Sequence, residues 1–225
     1  MVKKEEEKNK KSSAPSYEAK DIYVLEGLDP VRKRPGMYIG STGVDGLHHL
    51  VWEVADNSID EAMAGYAKNV TVELLPGDVV SVLDDGRGIP VDLHPHTKVS
   101  ALETVLTTLH AGGKFGGGGY KVSTGLHGVG ASATNALSEY MKAEVFKDGH
   151  IWMQEYKRGK PQKDVAKIGK TDMHDGTRIT FKPDSEIFRE SGLEKAIIDN
   201  LQSFLLELGK GFAFVERQKR MQFED

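Results

Sequence analysis

The sequence predicts an α+β fold: a two-layer sandwich in which a mixed, largely antiparallel sheet carries helices on one face. Three observations point there. Short alternating segments joined by tight turns outnumber any regular strand–helix–strand alternation, one long segment repeats its apolar residues at helical spacing, and glycine is gathered into two loops.

Taken in order, residues 1–16 are charged, small and aperiodic, and read as a disordered tail ahead of one domain over 17–225. From Gly46 to Gly65, Leu47, Leu50, Val51, Val54, Ile59, Ala62 and Met63 recur at helical spacing, with Gly65 suited to the stop. Segments 70–74 and 79–83 flank Pro76-Gly77-Asp78 and predict a hairpin. A helix is expected over Ser100–His110, then an aperiodic glycine-rich loop over 111–130, then a helix over Ala131–Ser138. Strands follow at 143–147 and 151–156 through an Asp148-Gly149 turn, and at 177–182. A helix near 193–208 and a last strand near 211–216 complete the chain.

Composition excludes several classes. With 38% hydrophobic residues a sizeable core is available, and the absence of cysteine rules out disulfides and thiolate metal sites. The first residues lack the apolar core of a secretory signal, and no stretch approaches the roughly 20 apolar residues that span a bilayer, so a cytoplasmic location is expected. A net charge of −4, with basic residues scattered, argues that any grip on DNA lies in other domains.

His49, Glu53 and Asn57 lie at i, i+4 and i+8 on the first long helix, with Asp56, Asp60 and Glu61 alongside. The plain reading is a solvated face. Against it, no lysine or arginine lies between Gly46 and Ala67, so the carboxylates lack local partners, and apolar residues fill most of the remaining circumference. Such a stripe suits a cation or a proton: the glutamate accepts a proton from water, His49 holds it, and the Asn57 carbonyl oxygen ligates Mg²⁺.

Two glycine loops complete the chemistry. In Asp84-Asp85-Gly86-Arg87-Gly88-Ile89-Pro90, an acid at a strand end can accept from a ligand amine while glycines let a flat ring approach; a tight turn is the plain alternative. In the second loop, Gly125-Leu126-His127-Gly128-Val129-Gly130 precedes a helix, so free amides and bare backbone make an anion site, with Lys114 and Lys121 adding charge. Gly169-Lys170-Thr171 fails as a phosphate loop because Asp164 stands at the required upstream glycine. Gly128-x-Gly130-x-x-Ala133 with Asp148 meets the dinucleotide spacing but lacks the buried strand before it. His48-His49 and His94-Pro95-His96 lack the ligand count of a metal site.

The stretches GLDPVRKRPGMYIG (27–40), LHHLVWEVADNSIDEAMAG (47–65), DDGRGIP (84–90), LHAGGKF (109–115), GLHGVG (125–130) and DGT (175–177), in this order, closely resemble the N-terminal ATPase domains of bacterial type IIA DNA topoisomerases. These are of the DNA gyrase B and topoisomerase IV ParE kind, with the Bergerat fold of the GHKL superfamily. The resemblance implies ATP and Mg²⁺ as ligands, Glu53 as general base, His49 as its positioner and Asn57 as metal ligand. It implies Asp84 at the adenine amine, with Gly88, Ile89, Pro90 and Thr177 lining that pocket, and Arg87 over the base while paired with Glu61. It implies a lid over 111–127 that carries Lys114 and Tyr120, with the glycines of 125–130 contacting the phosphates. Tyr17 and Ile22 belong to an N-terminal arm, 17–26, that reaches a second protomer when ATP binds.

The same resemblance implies a homodimer closed by ATP, a gyrase A-type or ParC-type partner in a heterotetramer, and ATP-dependent negative supercoiling of DNA held by other domains. It implies aminocoumarin-type inhibitors beside Asp84, where Lys147 replaces a more usual arginine, and Thr124 replaces a more usual glycine. The chain is expected to stop before the domain whose lysine completes the γ-phosphate site, so turnover in isolation should be poor. The alternatives are a topoisomerase IV ATPase domain, a nucleotide-switched dimerisation module with negligible hydrolysis, or an Hsp90-like or MutL-like relative.

Overall fold

The computed structural model describes residues 19–113 and 128–188. The expected tail, the helix near 193–208, the strand near 211–216 and positions 114–127 of the lid lie outside the described residues, as does Thr124.

A single 3-10 turn, Ala19–Asp21, leads into α1 (Asp29–Lys33) and α2 (Gly36–Ile39). Pro30 in the first turn of α1 costs nothing, because an N–H there would have no helical acceptor. The long helix α3 spans Val44–Met63 and buries Leu47, Leu50, Val51, Val54 and Ala55, the stripe its apolar period predicts. Gly65 sits just beyond its end at φ 81°, in the left-handed conformation that closes a helix.

Strands β1 (Val70–Leu75) and β2 (Val79–Asp84) form the expected hairpin, Val70 facing Asp84 in register. Helix α4 (Ala101–Thr107) is shorter than expected: Ser100 is its cap, its hydroxyl accepting from Glu103 N at 3.0 Å. Helix α5 (Gly130–Ala136) also ends early. Ser138 already belongs to β3 (Ser138–Lys147), a ten-residue strand twice as long as its apolar alternation announced. β4 (His150–Lys157) pairs with β3 through Asp148 and Gly149, both at positive φ as a tight two-residue turn requires. Two short strands, β5 (Lys160–Pro161) and β6 (Ala166–Lys170), were not anticipated, and β7 (Gly176–Pro183) returns to the centre.

The sheet order is β1-β2-β7-β3-β4-β5, with β6 beside β4, and every pairing among the described strands is antiparallel. Alternation in register puts Val80, Val82, Ile179, Phe181, Met141, Ala143 and Val145 on one face, where α3 and α5 cover them. β6 is an edge strand, and its exposed Lys167 and Lys170 guard that edge against further pairing.

One ionic bolt holds α1 against the sheet. The fully buried Asp184 carboxylate accepts from Arg32 Nη2 at 2.9 Å and from Arg158 Nη2 at 3.3 Å, with Arg158 Nε 2.9 Å away as an ion-pair contact, while Arg32 also donates to the carbonyl of Ala136 at the end of α5. Two guanidinium groups on one carboxylate satisfy a charge that burial alone would make costly.

Candidate active site

A cavity of about 920 Å³ opens between the α3 face, the β2–β7–β3 strand ends and the start of α5. Its lining gathers His49, Glu53, Asn57, Asp84, Arg87, Gly88, Ile89, Pro90, Thr177, Gly128, Val129 and Gly130, residues spread over 129 positions (49 to 177) of sequence.

At one end lies the α3 stripe. His49 Nε2 meets Glu53 Oε1 at 2.9 Å, and both side chains are about one third exposed (36% and 33%). The hydrogen bond to Glu53 raises the imidazole above its ordinary pKa, against burial, which lowers it. Asn57 Nδ2 donates to the Glu53 carbonyl at 2.7 Å, so the oxygen end of the amide is the one suited to a hard cation. The helix supplies no lysine or arginine to its carboxylates: Glu53 has His49, and Glu61 has Arg87 from a distant turn, as the resemblance implies. For Glu61 a tertiary contact supplies what the helix's own sequence omits.

Gly130 stands against Glu53. A Cβ at Gly130 would overlap the Glu53 carboxylate and come within 2.9 Å of the Glu53 Cβ. Glycine is therefore required there so that the Glu53 side chain and the amides opening α5 can occupy the same few ångströms. Val129 and Gly128 precede it at the cavity wall, Gly128 at φ 61°.

At the other end, Asp84 closes β2 and is 5% exposed. Burial pushes its carboxyl above the ordinary range, opposed by hydrogen bonds from Ser58 Oγ to Oδ2 at 2.8 Å and from Gly86 N to Oδ1 at 3.0 Å. Thr177, opposite Asp84 in the β2–β7 register, accepts from Ile89 N at 3.3 Å. Gly88, at φ 71°, threads between β3 and β7: a Cβ there would meet the Gly176 carbonyl at 3.1 Å and that of Phe146 at 3.2 Å. Pro90 continues the wall.

Arg87 is fixed on three sides. Its Nε and Nη2 reach the two Glu61 carboxylate oxygens at 3.0 and 2.7 Å in a bidentate pair, and its guanidinium lies 3.7 Å from the Tyr66 ring centroid. Lys147 Nζ donates to the Arg87 carbonyl at 3.1 Å. Ser58 and Tyr66 were not singled out by sequence reasoning. A signal for Ser58 existed, since it continues the buried Val51 and Val54 positions of α3, and a hydroxyl there needs a partner.

Of the remaining expected site residues, Ile22 lies on the surface, 59% exposed beside the exposed Tyr23 and Val24, and not in the cavity wall. Tyr17, Lys114, Tyr120, Lys121, Gly125, Leu126 and His127 fall outside the described residues. His94 and His96 place their rings 5.7 Å apart, but among the described residues no group of three or more potential ligands forms a metal cluster. Gly169 and Lys170 lie in edge strand β6, which confirms that they are not a phosphate loop. Among the described residues, no helix is long and apolar enough to cross a membrane.

Comparison with known proteins agrees with this geometry. Residues 42–187 match the family model described as histidine kinase-, DNA gyrase B-, and HSP90-like ATPase. A second, shorter match, to the YhcG PDDEXK nuclease domain, covers 171–225; its described part, 171–188, contains β7 and overlaps the first match over 171–187. The chain is 55% identical over 212 residues to the DNA gyrase B protein of Enterococcus faecalis, covering 94% of this chain and 32% of that protein. It is 54% identical over 209 residues to the DNA gyrase B protein of Thermotoga maritima, covering 93% and 32%. It thus spans about a third of the length of these relatives. Among solved structures, the 43K ATPase domain of Thermus thermophilus gyrase B in complex with an aminocoumarin superposes with a TM-score of 0.67 at 42% identity, covering 79% of this chain and 44% of that one. With both ends of the cavity in place and most of the chain inside one family model, the chain belongs to the histidine kinase-, DNA gyrase B- and HSP90-like ATPases.

Proposed function

We propose that this chain binds ATP with Mg²⁺ and hydrolyses it as the N-terminal ATPase domain of a gyrase B-type protein, powering DNA negative supercoiling by a type II topoisomerase. The observation that carries the reading is one cavity with a buried carboxylate at one end and a histidine-held carboxylate against a helix start at the other. The first suits a purine amine; the second suits water attacking a terminal phosphate.

The residues divide the work. Asp84 accepts from the adenine amine, Thr177 and the Gly88–Pro90 backbone shape the slot, and Arg87 covers the ring from a position locked by Glu61. Glu53 takes the proton of the attacking water, oriented by His49. Amides from Gly128 through Gly130, with Gly125, Leu126, His127 and Lys114 of the lid, receive the charge gathering on the transferred phosphoryl group. The donor set fits the metal: Asn57 Oδ1, a neutral hard oxygen, together with phosphate oxygens and water would hold Mg²⁺, whose chemistry is to neutralise phosphate charge.

The other assignments follow from the same reading. Lid closure orders the arm carrying Tyr17 and Ile22 and favours a homodimer, while a gyrase A-type partner and domains beyond this chain hold and cut DNA. The similarity to gyrase B chains favours gyrase over topoisomerase IV. An aminocoumarin-type inhibitor would enter beside Asp84, meeting Lys147 where the lysine is already engaged with the Arg87 carbonyl.

The test pairs two variants. Glu53→Ala in the full-length protein should keep ATP binding and lose turnover by about 10²–10⁴-fold; Asp84→Asn should lose ATP binding itself. Undiminished turnover in Glu53→Ala would refute the assignment of the base.

A further inference from the structure

The turn carrying Asp84 is gripped by α3 at two points with matching spacing. Ser58 and Glu61 lie three residues apart on the helix; Asp84 and Arg87, their partners, lie three apart in the turn. The Glu61–Arg87 grip fixes the guanidinium. The Ser58–Asp84 grip acts on the carboxylate, and its chemistry is directional. An ionised carboxylate has no proton to give, so the buried Ser58 hydroxyl must donate to Oδ2, while Gly86 N donates to Oδ1. With the Thr177 backbone N–H as a third donor, the carboxylate is held by protein donors alone, and what it presents to the cavity is acceptor capacity.

We propose that Ser58 is a positioning residue for base selection: by holding Asp84 as an acceptor, it makes the cavity take a purine bearing an exocyclic amine and refuse one bearing an oxo group at that place. The inference rests on the reading that adenine lies against Asp84.

Removal of the hydroxyl has a defined sign. Burial already favours the protonated carboxyl, and the Ser58 bond opposes it. The other groups facing Asp84 are Glu61 on α3, which favours protonation, Arg87 in the same turn, itself paired with Glu61, Lys147 reaching over from β3, and Thr177 from β7. Without Ser58 the carboxyl protonates at higher pH. A protonated Asp84 offers a donor where the purine amine also offers one, and it can instead serve a guanine oxygen.

The experiment measures binding of non-hydrolysable ATP and GTP analogues by calorimetry at pH 8 and pH 6, for the parent, Ser58→Ala, Ser58→Thr and Asp84→Asn. The parent should lose less than roughly threefold in ATP affinity over that interval. Ser58→Ala should lose several-fold more than the parent over the same interval, and its preference for ATP over GTP should narrow towards pH 6. Ser58→Thr, which keeps the hydroxyl, should restore the parent profile. A Ser58→Ala protein with the parent's pH profile and selectivity overturns the proposal, as does an equal loss for both nucleotides at both pH values, which marks a merely structural role. ATP binding untouched by Asp84→Asn would overturn the adenine reading itself, and the role of Ser58 with it.

Discussion

Gly130 offers the sharpest quantitative check, because stability and activity should move apart there. Alanine at the first residue of α5 meets no backbone penalty and gains up to about 1 kcal/mol in helix propensity. Its methyl group, however, overlaps the Glu53 carboxylate and stands 2.9 Å from the Glu53 Cβ, against about 3.5–4.0 Å for carbon atoms in contact. Rotating the carboxylate away relieves the first clash only. The second is between atoms fixed by two helices, so α3 and α5 must separate by roughly 0.5–1 Å, an overpacking cost of about 1–3 kcal/mol. Net stability should fall by about 0–2 kcal/mol, a drop in melting temperature of at most roughly 8 °C for a chain of this size. Displacing the base by such a distance should cost about 10²-fold in turnover. The assay is steady-state phosphate release by the full-length protein beside a thermal melt and ATP binding. The Gly130→Ala/Glu53→Ala double variant should be no slower than Glu53→Ala alone, since both act through one carboxylate. Gly130→Ala with parental kcat, or with a loss confined to ATP affinity, would refute the argument.

Two further outcomes can be measured directly. His49 has a folded pKa raised above 6.5 by Glu53, so the pair's contribution is fully present below pH 6.5 and is lost as pH rises through the raised value. With both side chains about a third exposed, it is worth roughly 0.3–0.5 kcal/mol, and His49→Ala should melt below the parent at pH 5.5 but with it at pH 9. A gap independent of pH would show that the ion pair is not its source. Tyr66→Ala removes the ring beneath Arg87 and should weaken ATP binding by about two- to fivefold, corresponding to an exposed cation–π contact of about 0.5–1 kcal/mol, while Tyr66→Phe should not; equal losses in both variants would assign the effect to the hydroxyl.

Much of the fold was legible because its signals are local. The apolar period of α3, the Pro76-Gly77-Asp78 and Asp148-Gly149 turns and the capping Ser100 all act within a few residues. β5 and β6 were not legible, since an edge strand written Lys160-Pro161 or Ala166-Lys-Ile-Gly-Lys170 buries no face and so shows no alternation. Ser138 misled for a related reason: buried on the sheet, it continues the small-residue run of α5 without a break in composition. At the site, the stripe His49–Glu53–Asn57 and the glycine turns could be read because helical spacing and glycine density are sequence properties. Glu61–Arg87, Ser58–Asp84 and Arg87–Tyr66 could not be paired from composition, because each joins residues more than 20 positions apart through the way α3 lies across β2.

That crossing of α3 over β2 has an energetic consequence. Glu53 and Glu61 are eight residues apart on one rigid helix, about 12 Å along its axis at 1.5 Å per residue. The middle of the helix therefore holds the His49–Glu53 pair and its last turns grip the turn that carries Asp84 and Arg87, and the helix itself fixes their separation. Sites farther apart than about 7–10 Å without shared partners add in free energy, whereas neighbours in one network do not. Changes at His49, Glu53 and Gly130 should thus appear in kcat and those at Ser58, Tyr66 and Asp84 in ATP affinity. A His49→Ala/Tyr66→Ala pair should combine within about 0.5 kcal/mol of additivity, and a Ser58→Ala/Asp84→Asn pair should fall well short of it. Strong coupling between the two ends would mean that α3 transmits displacement along its length, and the helix would then have to be counted as a moving part and not as the ruler of the site.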